Sequence, residues 1–332
     1  MASSTASQVS LDVKFREFLE KNKCPQTQRP LVHVAILTPC YGSLCNCNYT
    51  LSLLASVKLL ESFGVRCSIL FCPGDSLVSR ARNGLIAKAF AMETGEDAPE
   101  NPIPVSHFFF IDGDILWNPA EILKLLVTEK DIIGGLYPKK KFHFDRLVRP
   151  DAVNTILKTR TGFPWKEQIP EEQYVQHHLV DYNLNLTKPD DPTKGPNLKI
   201  ENNLIEVRHL ATGFMMITRD VLRKMFSYYP QFKYTDSTGF VSPKENKYCY
   251  ALFNCGVQEG SYMSEDWYFC DRFIGMSETN KIYADISIRL THVGNANYSG
   301  NPLSVLHVPS SSAEKDQEKA AVSGPRFCGF KK

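Results

Sequence analysis

At 332 residues, with 43% hydrophobic and 11% aromatic residues, the chain is long enough to bury a large core as one domain or two. A formal charge of +2 lacks the strong field of a nucleic-acid or anionic-membrane binder. No run of about eighteen apolar residues occurs, and the start lacks a basic-then-apolar leader; the expectation is a soluble, cytoplasmic protein with no nucleic-acid partner.

Residues 1–30 are polar and read as an N-terminal arm, with a short helix around Leu11 to Leu19. Leu31 to Leu37 is apolar and β-branched, a first buried strand that Thr38-Pro39 stops. After a loop over 38–48, Leu51, Leu54, Ala55, Leu59 and Phe63 recur at helical spacing, and Gly64 ends the helix. Val65 to Phe71 is a second strand, and strand-helix-strand order implies parallel pairing with a right-handed crossover. Asp75 is placed to cap a helix from Ser76 to about Glu93, which carries Arg80, Arg82 and Asn83 in its first half. Residues 94–105 form a surface loop rich in Gly, Pro and acids.

Phe108-Phe109-Phe110-Ile111 reads as a strand buried on both faces, and it ends abruptly in Asp112-Gly113-Asp114. Gly113 frees the backbone to turn. Adjacent carboxylates repel unless a cation lies between them, and hard oxygen ligands suit Mg²⁺ or Mn²⁺ that is also bound to phosphate. Taken alone, the tripeptide is equally a solvated strand-end turn.

Asn118-Pro119 opens a helix to Thr128, and Ile132 to Tyr137 is another strand. From Lys139 to about Asn203 the pattern fades, and an irregular segment of that length reads as a lid or binding loop. Leu204 to Val207 and Gly213 to Ile217 are strands, Thr218 caps a helix, and Ser264-Glu265-Asp266-Trp267 opens another to about Ile274. Ile282 to Leu290 alternates as one half-buried strand, followed by Thr291-His292-Val293-Gly294; residues 309–332 read as a flexible tail.

Phosphate-binding loops of the GxxxxGK[ST] and GxGxxG kinds are missing, so a phosphate site must rest on metal and basic side chains. The candidates are Asp112 and Asp114 for metal, Arg80 and Arg82 for phosphate or base, and Lys139 to Lys141 in a loop. Glu265 and Asp266 are either dipole-complementing acids at a helix start or an acceptor-side pair that includes a general base. His292 is either a third metal ligand or a hydrogen-bonded strand-end residue. Ten scattered cysteines are expected to be reduced thiols, and Cys40, Cys45 and Cys47 lack zinc-ligand spacing.

Seven short stretches, in order over roughly residues 31–300, resemble GT-A type glycosyltransferases, in particular family-2-like enzymes, a mannosyltransferase group and glycosyltransferases of large DNA viruses. They are Thr38-Pro39, the run from Ser76 to Asn83, Phe108 to Asp114, Gly134-Gly135-Leu136-Tyr137-Pro138-Lys139-Lys140, Ala211-Thr212-Gly213-Phe214, Ser264-Glu265-Asp266 and His292-Val293-Gly294. The resemblance implies an α/β fold: a Rossmann-like, mostly parallel GT-A sheet flanked by helices, with an irregular acceptor-side insertion. A single catalytic domain would span 31–308, its donor half 31–138 and its acceptor half 139–308.

By the same resemblance the reaction is metal-dependent transfer of a sugar from a nucleoside diphosphate sugar to a hydroxyl of a glycan, glycolipid or glycoprotein acceptor. Mn²⁺ or Mg²⁺ would be the cofactor, and inversion is the preferred stereochemistry. Thr38, Pro39 and Tyr41 would lie beside the nucleobase, Arg80 and Asn83 near base, ribose or diphosphate, and Asp112 and Gly113 at ribose and metal. Asp114 and His292 would complete the metal shell. Thr212, Gly213 and Trp267 would line the acceptor side, with Asp266 as base and Glu265 bonded to the acceptor. The segment 139–203 departs from the pattern, so no acceptor residue is carried over there.

Three other readings compete. A haloacid-dehalogenase-type phosphatase usually has Thr or Val where Leu116 stands, and its motif lies on an early strand. A nucleotidyltransferase acting on sugar phosphates would use the same metal logic. A non-catalytic nucleotide-sugar or glycan binder would have no need of the acids at 265 and 266.

Overall fold

A computed structural model of the chain describes residues 10–92, 103–186, 198–258, 260–294 and 296–306. The expectations for the first nine residues, for 94–102 of the surface loop, for 187–197 of the long segment and for the C-terminal tail lie outside the described residues.

The chain begins with α1 (Leu11–Lys21), where Ser10 accepts the Val13 N–H. Phe15, Phe18 and Leu19 on one stripe of α1 are buried in the core beside Leu123 and Leu126. This corrects the reading of an arm for these residues: the polar positions outnumber the apolar ones, but the apolar ones share a helical face. There follow β1 (His33–Cys40), α2 (Cys47–Ser62), β2 (Arg66–Pro73), α3 (Val78–Ala91), β3 (His107–Ile111), β4 (Ile115–Trp117), α4 (Ala120–Leu126) and β5 (Ile132–Gly135). Strand β1 runs on through Thr38-Pro39 instead of stopping there. Its pairing with β3 ends at Leu37, so Pro39 lies where β1 has only β2 as a neighbour, a position that tolerates a missing N–H.

The long segment is ordered by short elements: β6 (Pro138–Phe142), α5 (Ala152–Lys158), α6 (Pro164–Glu167), α7 (Glu171–His178), β7 (Val180–Tyr182), β8 (Leu184–Asn185) and β9 (Ile200–Glu201). Then come β10 (Leu204–Val207), β11 (His209–Leu210), β12 (Phe214–Thr218), α8 (Arg219–Tyr228), β13 (Gly256–Gln258), β14 (Ser261–Met263) and α9 (Glu265–Ile274). The chain closes with β15 (Ile282–Asp285), β16 (Leu290–Val293), β17 (Asn297–Gly300) and α10 (Pro302–Val305).

Eight strands form one sheet in the order β2-β1-β3-β12-β5-β15-β10-β9. The fold is α/β, but the expected mostly parallel sheet is corrected to a mixed one. Only β1 with β2, β1 with β3, and β5 with β15 pair in parallel; β12 runs against both β3 and β5, and β10 runs against β15 and β9. A fully buried strand is an apolar run whichever way it points, so Phe214 to Ile217 carried no sign of its direction. The interval from Ile282 to Leu290 is likewise two strands in two sheets. Asp285 accepts from the Ser287 N–H at 2.8 Å and its hydroxyl at 2.7 Å, which turns the chain while Ile286 and Ile288 stay buried.

Alternate residues of each central strand enter opposite cores. Ala35, Leu37, Phe108, Phe110, Met215 and Ile217 pack beneath α3, α8 and α9, while Val34, Ile36, Phe109, Ile111, Phe214 and Met216 pack against α1, α2 and α4. The result is a helix-sheet-helix sandwich. Gly134 is required at its centre, because a Cβ there would lie 2.1 Å from the Phe214 carbonyl oxygen.

Candidate active site at the end of the central strand

The large sheet hands the chain to a small one at Asp112-Gly113-Asp114. The Asp112 N–H donates to the Gly213 carbonyl (3.1 Å), and the Ile115 N–H donates back to the Asp112 carbonyl (3.0 Å), closing the turn. From there β4 joins β16 and β17 in a three-stranded sheet, with Ile115 opposite His292. The Val293 N–H donates to the Asp114 carbonyl at 2.8 Å. That pairing is why residues 114 and 292 meet.

Arg82 joins the two acidic motifs. Its side chain is 4% exposed; Nη2 donates to Asp112 Oδ1 (3.1 Å) and Nε donates to Glu265 Oε1 (3.3 Å). A guanidinium is always charged and presents a rigid fork, so one residue can fix two carboxylates. Buried Nη1 has no hydrogen-bond partner among the described residues.

Asp114 forms the other pole. Its Oδ2 accepts from Lys140 Nζ of β6 and lies 3.4 Å from His292 Nε2. Burial pushes the Asp114 carboxyl up, but the bonds and charges of His292 and Lys140 outweigh it and hold it down at about 2. His292 Nδ1 is 2.9 Å from the Pro138 carbonyl, which can only accept, so Nδ1 carries the hydrogen. Nε2 then faces the Asp114 carboxylate.

At the start of α9, the Ser264 hydroxyl and the Trp267 N–H both donate to Asp266 Oδ1. Oδ2 accepts no bond among the described residues. Between the two poles stands Tyr137, buried, packed edge-on against His292 with ring centroids 5.1 Å apart, and close enough to feel the charges of Asp112, Asp266 and Arg82. Burial pushes its phenol far above the ordinary range, so it is a neutral hydroxyl, and the Gly213 N–H donates to it.

The structure therefore brings together Asp112, Gly113, Asp114, Gly213, Glu265, Asp266 and His292. Other expected site residues are placed differently. Thr38 is fully buried, its hydroxyl bonded to that of Tyr49, and is not open to a nucleobase. Asn83 is buried with its amide clamped to both backbone groups of Phe253, at 2.7 and 3.0 Å. Arg80 is held by Asp75 through two bonds of 2.9 and 2.7 Å; Asp75 accepts the Leu77 N–H as well, so it anchors the entry to α3 rather than capping it. Pro39 is half-buried, and Tyr41 is 81% exposed on a turn after β1. Thr212 is buried, and its hydroxyl has no partner among the described residues. Trp267 lies at the surface, stacked on His209.

The expected metal shell is also revised. Among the described residues no three His, Cys, Asp or Glu side chains are gathered closely enough to hold a metal ion. Asp114 and His292 meet, whereas Asp112 turns to Arg82. Grooves of about 410 and 990 Å³ lie elsewhere, the first beside Arg208, Asp271 and Lys281, the second between α1, α4 and strands β9, β10 and β15. Neither is lined by Asp112, Asp114, Glu265, Asp266 or His292. Tyr137, Lys140 and Arg82 are the residues missed as site members or left undistinguished from their neighbours. Among the described residues no helix is long and apolar enough to cross a membrane. No protein-family model matches the chain, and no curated protein matches it.

Proposed function

We propose that this chain is a metal-dependent glycosyltransferase of the GT-A type, moving a sugar from a nucleoside diphosphate sugar to a hydroxyl of a glycan, lipid or protein. The observation that carries the reading is the convergence, through one buried arginine, of Asp112 beside Asp114 with Glu265 beside Asp266. The chain separates these pairs by about 150 residues. A solvated turn and an unrelated helix start would have no reason to share a buried cation.

Asp114 and His292 Nε2 would hold the divalent ion. Mg²⁺ and Mn²⁺ are commonly held by one or two protein ligands plus substrate phosphates, so a two-residue donor set suits them. The ion would supply neutralising charge to the leaving diphosphate. Arg82 Nη1, buried and without a hydrogen-bond partner among the described residues, suits an oxygen of the donor.

On the acceptor side Asp266 has the arrangement a general base needs: Oδ1 is anchored by two donors and Oδ2 is left for the substrate. The acceptor hydroxyl would lose its proton to Oδ2 as its oxygen bonds the anomeric carbon. The bond from that carbon to the diphosphate oxygen breaks, and its electron pair leaves with the diphosphate. Glu265, occupied by Arg82, serves to position Arg82 and the start of α9.

The test is titration of the full chain with a panel of nucleotide sugars, with and without Mn²⁺, followed by product analysis. Release of free nucleoside diphosphate, lost in Asp114→Ala, supports the reading. Release of pyrophosphate identifies a nucleotidyltransferase instead, and metal-independent binding without turnover identifies a binder.

A further inference from the structure

Lys140 makes an ion pair that the proposed reaction has not used. Of the three consecutive lysines in β6, it is the one whose Nζ reaches Asp114, on the same Oδ2 that faces His292 Nε2. A cation thus already bonds one of the two proposed metal ligands, on the oxygen that faces the other. The route of the side chain is built into the fold. A Cβ on Gly294 would come 3.1 Å from Lys140 Cδ and 3.5 Å from Cε, so glycine at the end of His292-Val293-Gly294 leaves the space that the lysine stem crosses. Gly294 has no left-handed backbone that would otherwise demand glycine.

We propose that Lys140 is a tethered counter-cation that competes with the divalent metal for Asp114 and, when the metal arrives with the diphosphate, moves onto the phosphate oxygens. The proposal rests on the donor-site reading above and deepens it. Three physical points support an exchangeable pair over a fixed one. The partners are 37% and 39% exposed, and ion pairs so exposed contribute little, so a divalent ion bridging to phosphate displaces the ammonium readily. A four-carbon stem with rotatable bonds can shift its charge by a few ångströms without moving β6. An ammonium is a point charge suited to a diphosphate. The lysine would also make metal binding weak until the diphosphate contributes, coupling the two.

The experiment measures Mn²⁺ binding directly, from the electron paramagnetic resonance signal of free Mn²⁺, on the full chain and on Lys140→Met, Lys140→Arg, Gly294→Ala and Asp114→Asn. Each is measured alone and with UDP, GDP or ADP. Lys140→Met is expected to bind Mn²⁺ alone about two- to five-fold tighter than the parent, the equilibrium equivalent of losing a partly exposed competing ion pair. It is also expected to bind the preferred nucleoside diphosphate more weakly. Lys140→Arg should behave like the parent, and Gly294→Ala, which crowds the lysine stem, should fall between. Equal Mn²⁺ affinity in parent and Lys140→Met, with Mn²⁺ still lost in Asp114→Asn, overturns the role of Lys140 and leaves the metal site standing. Absence of Mn²⁺ binding in every protein under every nucleotide overturns both.

Discussion

The indole of Trp267 lies on the imidazole of His209 with ring centroids 4.4 Å apart and planes 8° from parallel. The imidazole is held from both ends: Asn185 Nδ2 is 2.7 Å from Nδ1, and Nε2 lies 2.8 Å from Asp271 Oδ1. Burial lowers its pKa against the pull of Asp271, and the two bonds fix the ring as a platform. Trp267 is 39% exposed and follows Asp266 at the start of α9. A rigid aromatic face beside a candidate base suits the apolar face of a sugar ring. Trp267→Ala is expected to raise the acceptor KM by about ten-fold while leaving donor hydrolysis unchanged, and Trp267→Phe to recover most of the loss. An unchanged acceptor KM would remove Trp267 from the acceptor site.

Asp266→Asn keeps an oxygen at Oδ1 for the Ser264 hydroxyl and the Trp267 N–H, so the start of α9 should stay intact. It removes the proton acceptor. Transfer is expected to fall by about two to four orders of magnitude with donor affinity unchanged. A drop confined to KM would make Asp266 an acceptor contact without a base role.

Arg82 gives a stability prediction. In Arg82→Met the Asp112 and Glu265 carboxylates lose their shared cation in a largely buried setting, for a cost of about 3 kcal/mol. Adding Glu265→Gln should recover part of that cost, because the remaining side chain no longer carries an unpaired charge. Urea unfolding of parent, single and double variants measures it; a double variant no more stable than Arg82→Met would mean that the pairing contributes nothing.

Much of this site was legible before any coordinates. Four apolar residues ending in Asp-Gly-Asp specify a buried strand and the acidic turn that closes it, and the spacing of β1, α2, β2 and α3 specifies the first half of the sandwich. Which polar residues of α3 face inward was not legible. Arg80 and Arg82 lie about 200° apart around a helix, and only packing against Phe110 and α9 selects Arg82 for the interior. Thr38 and Asn83 carry the composition of ligand contacts yet serve backbone and core, through Tyr49 and Phe253. Lys140 and Tyr137 stood within a recognised stretch, but their roles depend on β6 and β16 meeting across about 150 residues of chain, which local patterning does not encode.

Two glycines in the quoted stretches separate side-chain from backbone crowding. In Gly213→Ala the new Cβ lies 2.6 Å from the Tyr137 hydroxyl, and the ring must shift, for a cost of about 1–3 kcal/mol. In Gly134→Ala it lies 2.1 Å from the Phe214 carbonyl oxygen, inside a paired central strand that cannot move without breaking its ladder. Gly134→Ala is therefore expected to fail to fold or to melt far below Gly213→Ala, and the opposite order in thermal unfolding would contradict the packing described.

The last prediction concerns acid sensitivity. His33 is buried at the start of β1, its Nδ1 at 2.7 Å from the Ile103 carbonyl and its Nε2 at 2.8 Å from the Ser68 hydroxyl, a pairing that suits the neutral ring. Burial pushes its pKa down to about 4, with Arg66 and Arg219 adding to the effect and the Ile103 bond opposing it. An unfolded chain binds this proton at about pH 6.5. Between about pH 6.5 and 4 the unfolded state therefore takes up a proton that the folded state refuses, so the stability present in full above that window falls as pH drops and levels off below it. From pH 7 to pH 5 the loss assignable to His33 is about 2 kcal/mol. His33→Asn, whose amide can still donate to the Ile103 carbonyl, is expected to be less stable at pH 7 but to lose correspondingly less on acidification. Urea titrations of both proteins at the two pH values measure the difference, and identical losses would show that His33 is not the group that titrates.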